Sequence, residues 1–395
     1  MKPTRTPRRG FYLSACRRIV LFIILFALAQ SNGAQESKSS EIWRFAVSGD
    51  SRNCGDVVMP AIAEKVRSEH STFYWHLGDY RAIYDFDQDI KSRNPTINVI
   101  TYENTAWTDF IDRQLKPFGD IPVYLVLGNH ELIPPKTRTD ALLQFADWYN
   151  APELSKQRLA DDPSDHELRA YYHWTRRGVD FITLDNSAKE QFDDAQMKWL
   201  AAQLDRDAKN AEVRSVVLGM HDALPDSLSA GHSMNESAQG TESGRKVYQW
   251  LVEFRKKTHK NVYVLASHSH FLMDNVYNTA CRREHPDEVL PGWIVGTAGA
   301  PRYRLPADVS GSVQHLTDVY GYLLATVSPD GTIQFDDAAG EESPEAILYS
   351  QFLNTEQVEF PFRQKAGVPI KFSVVPGGDP SGSRYNVFVV VEQLM

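Results

Sequence analysis

Cysteine is scarce, with three in 395 residues. Cys16 lies in the amino-terminal leader, so Cys54 and Cys281 leave room for one disulfide, or for two separate buried thiols. Basic charge is in deficit too: 42 Lys and Arg stand against 51 Asp and Glu. Six of those cations fall in residues 1–18, so a chain without that segment keeps 36 against 51, formally −15. Such a balance argues against nucleic-acid scaffold binding, which needs a basic face. It leaves small anionic substrates open, because bound metal ions reverse the local sign. No apolar run approaches the about 20 residues that a membrane-crossing helix requires. There is no internal repeat and no low-complexity tract.

What is present begins with a leader. Six Lys and Arg without an acid precede the apolar run IVLFIILFALA at 19–29, which ends in Ala27-Leu28-Ala29. A basic region, a short apolar core and an A-x-A site predict a secretory signal peptide over 1–29. A polar linker follows at 30–41, a catalytic domain at 42–340 and a β-rich extension at 341–395. The expected location is the periplasm or the exterior, with no transmembrane segment in the mature chain.

Strands and helices alternate along 42–340, which predicts an α/β fold. Strands are expected near 42–50, 71–79, 121–131, 213–222 and 261–270, with helices at 55–70, 104–118, 141–149, 193–207 and 244–257. Two strands meet at Arg177-Gly178, and a hairpin turns at Pro329-Asp330-Gly331. Five of these strands end alike, in a small residue followed by an oxygen or nitrogen donor. The endings are Asp50, Asp79, Asn129-His130, His221 and His268-x-His270. Each alone reads as a turn residue, a helix cap or a buried histidine. Together they put donors at the carboxyl edge of a sheet, where open α/β folds bind ligands.

Asp, Asn and His form a mixed oxygen and nitrogen donor set, suited to first-row metals with Fe, Zn and Mn as candidates. Two ions bridged by a carboxylate would clamp a phosphoryl group and generate hydroxide from water near neutral pH. A nearby His would protonate the leaving oxygen.

The ordered motifs SGDSR, LGDY, LGNHE, GMHD and SHSH resemble the calcineurin-like metallophosphoesterase superfamily, nearest to its purple acid phosphatase-like branch. The resemblance implies a four-layer α/β/β/α sandwich, here with the small C-terminal β extension. It implies two divalent or mixed-valence metal ions and a small phosphorylated substrate, hydrolysed as a phosphate mono- or diester. Asp50 and His270 would hold the first ion, Asp79 would bridge, and Asn129, His221 and His268 would hold the second. His130 would assist the leaving group, with Glu131 orienting its neighbours.

This chain departs from the family pattern at three points, the mildest being Ser267 in place of the Gly before the two terminal histidines. Asp50-Ser51-Arg52 stands where most of the family has D-x-H, and Arg52 cannot ligate a cation. Ala82 stands where the purple acid phosphatases carry a Tyr; Tyr80 and Tyr84 flank it. These departures motivate an alternative, a degenerate fold that binds a phosphorylated ligand without turnover. Arg52 and Arg302 are candidate substrate contacts. In the resembled fold Asp50 and His270 share a metal, which brings the loops carrying Cys54 and Cys281 together and implies a disulfide between them.

Overall fold

A computed structural model describes residues 41–188, 191–317 and 319–336, together with the backbone of 370–378 and 385–393. The expected signal peptide, all but the last residue of the linker and most of the extension lie outside the described residues.

Two sheets carry the architecture. The first joins β1 (Trp43–Ser48), β2 (Tyr74–His76), β3 (Val123–Leu125), β11 (Leu323–Val327) and β12 (Ile333–Phe335) in the order β12-β11-β1-β2-β3. The second sheet has seven strands, β4 (Tyr172–Arg176), β5 (Val179–Thr183), β6 (Ser215–Gly219), β7 (Asn261–Ala266), β8 (Leu272–Met273), β9 (Gly292–Val295) and β10 (His315–Leu316), in the order β10-β8-β9-β7-β6-β5-β4. Strands β1, β2 and β3 pair in parallel, as do β5, β6, β7 and β9.

Side-chain alternation along the strands decides the layering. In β2, Tyr74 turns outward, stacking on Phe118 at 4.6 Å and donating to Met59 Sδ in helix α1 (Gly55–Ser68). Its neighbour Trp75 turns inward and meets Trp174 and Phe181 of the second sheet at 5.2 and 6.0 Å. In β6, Val217 faces the same aromatic interior, whereas Val216 and Leu218 join an outer core with Leu200, Leu204, Leu251 and Val247. Those four come from helices α2 (Asp194–Lys209) and α3 (Ala238–Thr258). The result is helix, sheet, sheet, helix. Strands β2, β3, β5, β6 and β9 are buried along their whole length because both of their faces are covered.

Strands are shorter than the apolar runs that announce them: LVLGNHE leaves β3 at Leu125, and Asn129–Leu132 is a 3-10 turn. The segment after β9 is a loop from Thr297 onward. Among the described residues no helix is long and apolar enough to cross a membrane. In the expected extension, β13 (Ile370–Gly378) and β14 (Tyr385–Gln393) pair as an antiparallel hairpin.

The expected disulfide is not formed, and Cys54 and Cys281 are both free. Cys54 leads into α1, with Sγ 3.9 Å from Gln88 Oε1. After β8 the chain runs through Val276 and Tyr277, which pack in the outer core of the second sheet, and Arg282 stacks on Tyr248 of α3 at 3.5 Å. That path carries Cys281 to the helical face of the second sheet, away from the layer where Cys54 begins its helix.

Candidate metal centre

The carboxyl ends of the two parallel strand sets meet edge to edge. Gly49 N–H donates to Val295 O at 2.9 Å, and His221 Nδ1–H donates to Leu77 O at 2.8 Å, both across the sheets. Asp50, Asp79 and His268 adopt positive φ of 60°, 60° and 62°, turning their side chains sharply off the strand ends. Gly128 permits the approach, since a Cβ there would lie 2.2 Å from Asp79 Oδ1.

One group of donors converges on His221 Nε2. Asn129 Oδ1 and His268 Nδ1 each lie 3.1 Å from it, and Asp79 Oδ1 lies at 3.3 Å. Metal–ligand bonds of about 2.1 Å in tetrahedral or octahedral geometry set neighbouring donors about 3.0–3.4 Å apart. The bond to Leu77 O fixes the His221 tautomer and leaves Nε2 as the ligand atom. Asp222 Oδ1, buried, faces His268 Nε2 at 3.4 Å and leaves Nδ1 as that ring's ligand atom. These four residues fit a divalent ion.

A second group, Asp50, Asp79 and His270, also converges. His270 Nε2 lies 3.3 Å from Asp50 Oδ1, and His270 Nδ1 faces Pro301 O. Asp50 Oδ1 and Asp79 Oδ2 are buried with no hydrogen-bond partner. This position supplies three donors, and it also contains the Arg52 side chain, 6% exposed. Arg52 Nη2 lies 3.4 Å from His270 Nε2, and Arg52 Nε lies 3.8 Å from Asp79 Oδ2. The residues here fit a second ion poorly, because a permanent cation stands among them.

Electrostatics follow from these contacts. Burial raises the Asp50 carboxyl, yet His270 and His221 hold it well below the usual range. Asp79 is likewise lowered, by His130 and His221 against burial. Burial lowers His221, but Asp79, Asp50 and Asp222 raise it to about 9. Burial and the His221 charge push His268 down to about 3. Two buried ionised carboxylates require positive charge beside them, and within the chain His221 and Arg52 supply it.

His130 stands at the edge of both groups, 4% exposed. Nδ1 lies 2.6 Å from Ala82 O, so Nε2 is the atom turned to the centre, 3.5 Å from Asp79 Oδ2. Glu131 accepts from the N–H groups of Asp79, Tyr80 and Gly128 at 2.8–2.9 Å, tying the second motif to the third. Burial and the Asp79 charge push its carboxyl up to about 8, against backbone donors that favour the ionised form.

All six expected ligands and His130 therefore meet at one place. Arg302 lies over Tyr320 at 5.2 Å. In the same segment Tyr303 reaches the centre, stacked on His270 at 3.9 Å and on His232 at 4.7 Å. Tyr80 is buried and donates to Val126 O, away from the donors, while exposed Tyr84 has its ring 5.0 Å from that of His130. Sequence reasoning missed Tyr303, His232 and Asp222. Only Asp222 had a signal, as the ionisable partner next to His221 in GMHD.

A family model described as calcineurin-like phosphoesterase matches residues 44–272. No curated protein matches. Among solved structures, that of PhoD is 17% identical with a TM-score of 0.48, over 73% of this chain. The present chain spans only 64% of the PhoD chain. A dimetal phosphatase from Danio rerio, LOC 393393, is 13% identical with a TM-score of 0.46, over 72% of this chain and 92% of that one.

Proposed function

This chain belongs to the calcineurin-like phosphoesterase family, a metal-dependent phosphoester hydrolase, and from that premise we propose an exported enzyme for small phosphate mono- or diesters in which His130 assists the leaving group. The observation that carries the reading is the convergence of Asp79, Asn129 and His268 on His221 Nε2 at 3.1–3.3 Å. Those four residues would hold a divalent ion, which would supply Lewis-acid polarisation of a phosphoryl oxygen and a lowered pKa for water.

The chain's own groups do the rest. Glu131 holds the Asp79 turn in place through three backbone N–H groups. Arg52 supplies charge and N–H donors to a phosphoryl oxygen. His130 donates Nδ1–H to Ala82 O, so Nε2 carries the proton that the departing alkoxide needs when the ring is the imidazolium, a form that burial opposes and Asp79 favours. A dinuclear centre is the second reading, favoured by the convergence of Asp50, Asp79 and His270. Export rests on the basic and apolar leader at 1–29.

Stripping the enzyme with chelator and restoring single metals tests the activity, with a chromogenic phosphomonoester and a bis-ester as substrates. Metal-restored turnover of either is the expected result. Tight binding of the phosphorylated compound without turnover would instead favour a non-catalytic fold. Cell fractionation with amino-terminal sequencing tests export: a mature protein starting near residue 30 is expected, and a cytoplasmic full-length chain would refute it.

A further inference from the structure

Arg52 lies within the three-donor position itself. The turn that carries it is pinned on several sides. Ser51 N–H donates to Asp79 O at 3.0 Å, Ser51 Oγ meets His76 Nε2 at 2.9 Å, and Ala300 N–H donates to Asp50 O at 2.8 Å. The side chain is thus delivered into the centre by a fixed loop, and it is buried there beside Asp79 and His270. We infer that the guanidinium of Arg52 takes the place of a second metal ion, so that the enzyme binds one metal ion per chain and completes its cation pair with an arginine. The inference rests on the metal-dependent reading above and refines it.

Three features support it. First, the contact of His270 Nδ1 with Pro301 O turns Nε2 inward, where it meets Asp50 Oδ1 at 3.3 Å and Arg52 Nη2 at 3.4 Å. Second, Asp79 Oδ2 has no hydrogen-bond partner and lies 3.8 Å from Arg52 Nε, so the guanidinium offsets its charge without a metal. Third, a guanidinium cannot shed its proton to admit a divalent ion. Like charges a few ångströms apart in a buried site repel strongly. Of its five N–H donors, those facing Asp79, His270 and Asn53 Oδ1 are directed at protein. The remainder are free for phosphoryl oxygens, the planar and bidentate recognition at which arginine excels.

Metal stoichiometry decides the matter independently of turnover. Purified enzyme, stripped by chelator, is reloaded with Mn(II), desalted, and analysed by mass spectrometric metal counting and electron paramagnetic resonance. One ion per chain with an isolated six-line Mn(II) spectrum is expected. Arg52→His replaces the cation with an imidazole donor, and should raise the count to two and give a spin-coupled spectrum. Should that variant fail to fold, Asp50→Asn serves: the count should stay at one, because Asp50 is not among the donors that converge on His221 Nε2. Two ions in the wild type, or loss of the ion in Asp50→Asn, would overturn this inference while leaving metal-dependent hydrolysis intact. No bound ion and no hydrolysis would overturn both.

Discussion

Among the described residues, two buried clusters of aspartate and histidine end in opposite chemistry. At the metal centre, Asp50 Oδ1 and Asp79 Oδ2 have no hydrogen-bond partner, and backbone carbonyls take the Nδ1 atoms of His221 and His270. Their remaining lone pairs point at common centres. On the edge strand β4, His173 has both ring nitrogens engaged, Nδ1 by Asp180 at 2.8 Å and Nε2 by Asp161. Gln203 closes the other oxygen of Asp180 at 2.9 Å. Composition and burial do not separate the clusters; direction does. A ligand set keeps lone pairs free and convergent, whereas a structural ion pair satisfies them within the protein.

The largest expected effect tests the convergent cluster. Asp79→Asn should lower turnover by about a thousand-fold or more and release much of the bound metal, since Asp79 contributes to both donor groups. Normal metal content with normal turnover would break the comparison, because the free lone pairs would then have no ligand role.

His130→Ala should lower turnover by about 100-fold with metal content nearly unchanged. The loss should shrink for substrates whose leaving group needs no proton. Loss of metal together with activity would move His130 into the ligand set.

Glu131→Gln sharpens the comparison one step behind the ligands. An amide has one accepting oxygen where the carboxylate has two, so the N–H groups of Asp79, Tyr80 and Gly128 cannot all be satisfied. Metal affinity, measured by competition with a chromogenic chelator, should fall by about 10–100-fold. Unchanged affinity would reduce Glu131 to a packing residue.

The smallest effect on catalysis belongs to the other cluster. His173→Gln should leave turnover and metal content within about twofold, while the melting temperature drops by about 2–10 °C as Asp180 loses its cation. Burial opposes the charge on His173, but Asp180 and Asp161 raise its pKa to about 10, above the 6.5 of an unperturbed histidine. The stabilisation is therefore complete below about pH 6.5 and fades as pH rises towards about 10. Asp207, pushed up to about 8 by burial and Asp180, works in the same direction. Melting temperature should decline from pH 7 to 10 in the wild type and decline less in the variant. Equal slopes would show that His173 is not the titrating group.

Much of the site is legible in the sequence. GD, GD, GNHE, GMHD and SHSH each mark a short buried strand followed by a donor, and the ordered set resembles one family. His173 in YYHW gives no such sign, and its partners Asp161 and Asp180 come from a helix and the next strand. The Cys54–Cys281 expectation failed for a related reason. Closeness of two ligands at one ion says little about where a chain goes eleven residues later, once Val276 and Tyr277 have committed it to the outer core.

By itself the sequence determined the alternation of strands and helices, the strand ends that carry donors, and the membership in a metal-dependent family. Those properties are local, written in apolar runs and in the residues that terminate them. Only the tertiary structure decided that Arg52 enters the donor group, that Tyr303 stacks on His270, and that both cysteines stay free. Each of these depends on the direction of a side chain or loop after two sheets have packed face to face, and residue type and spacing do not encode that direction.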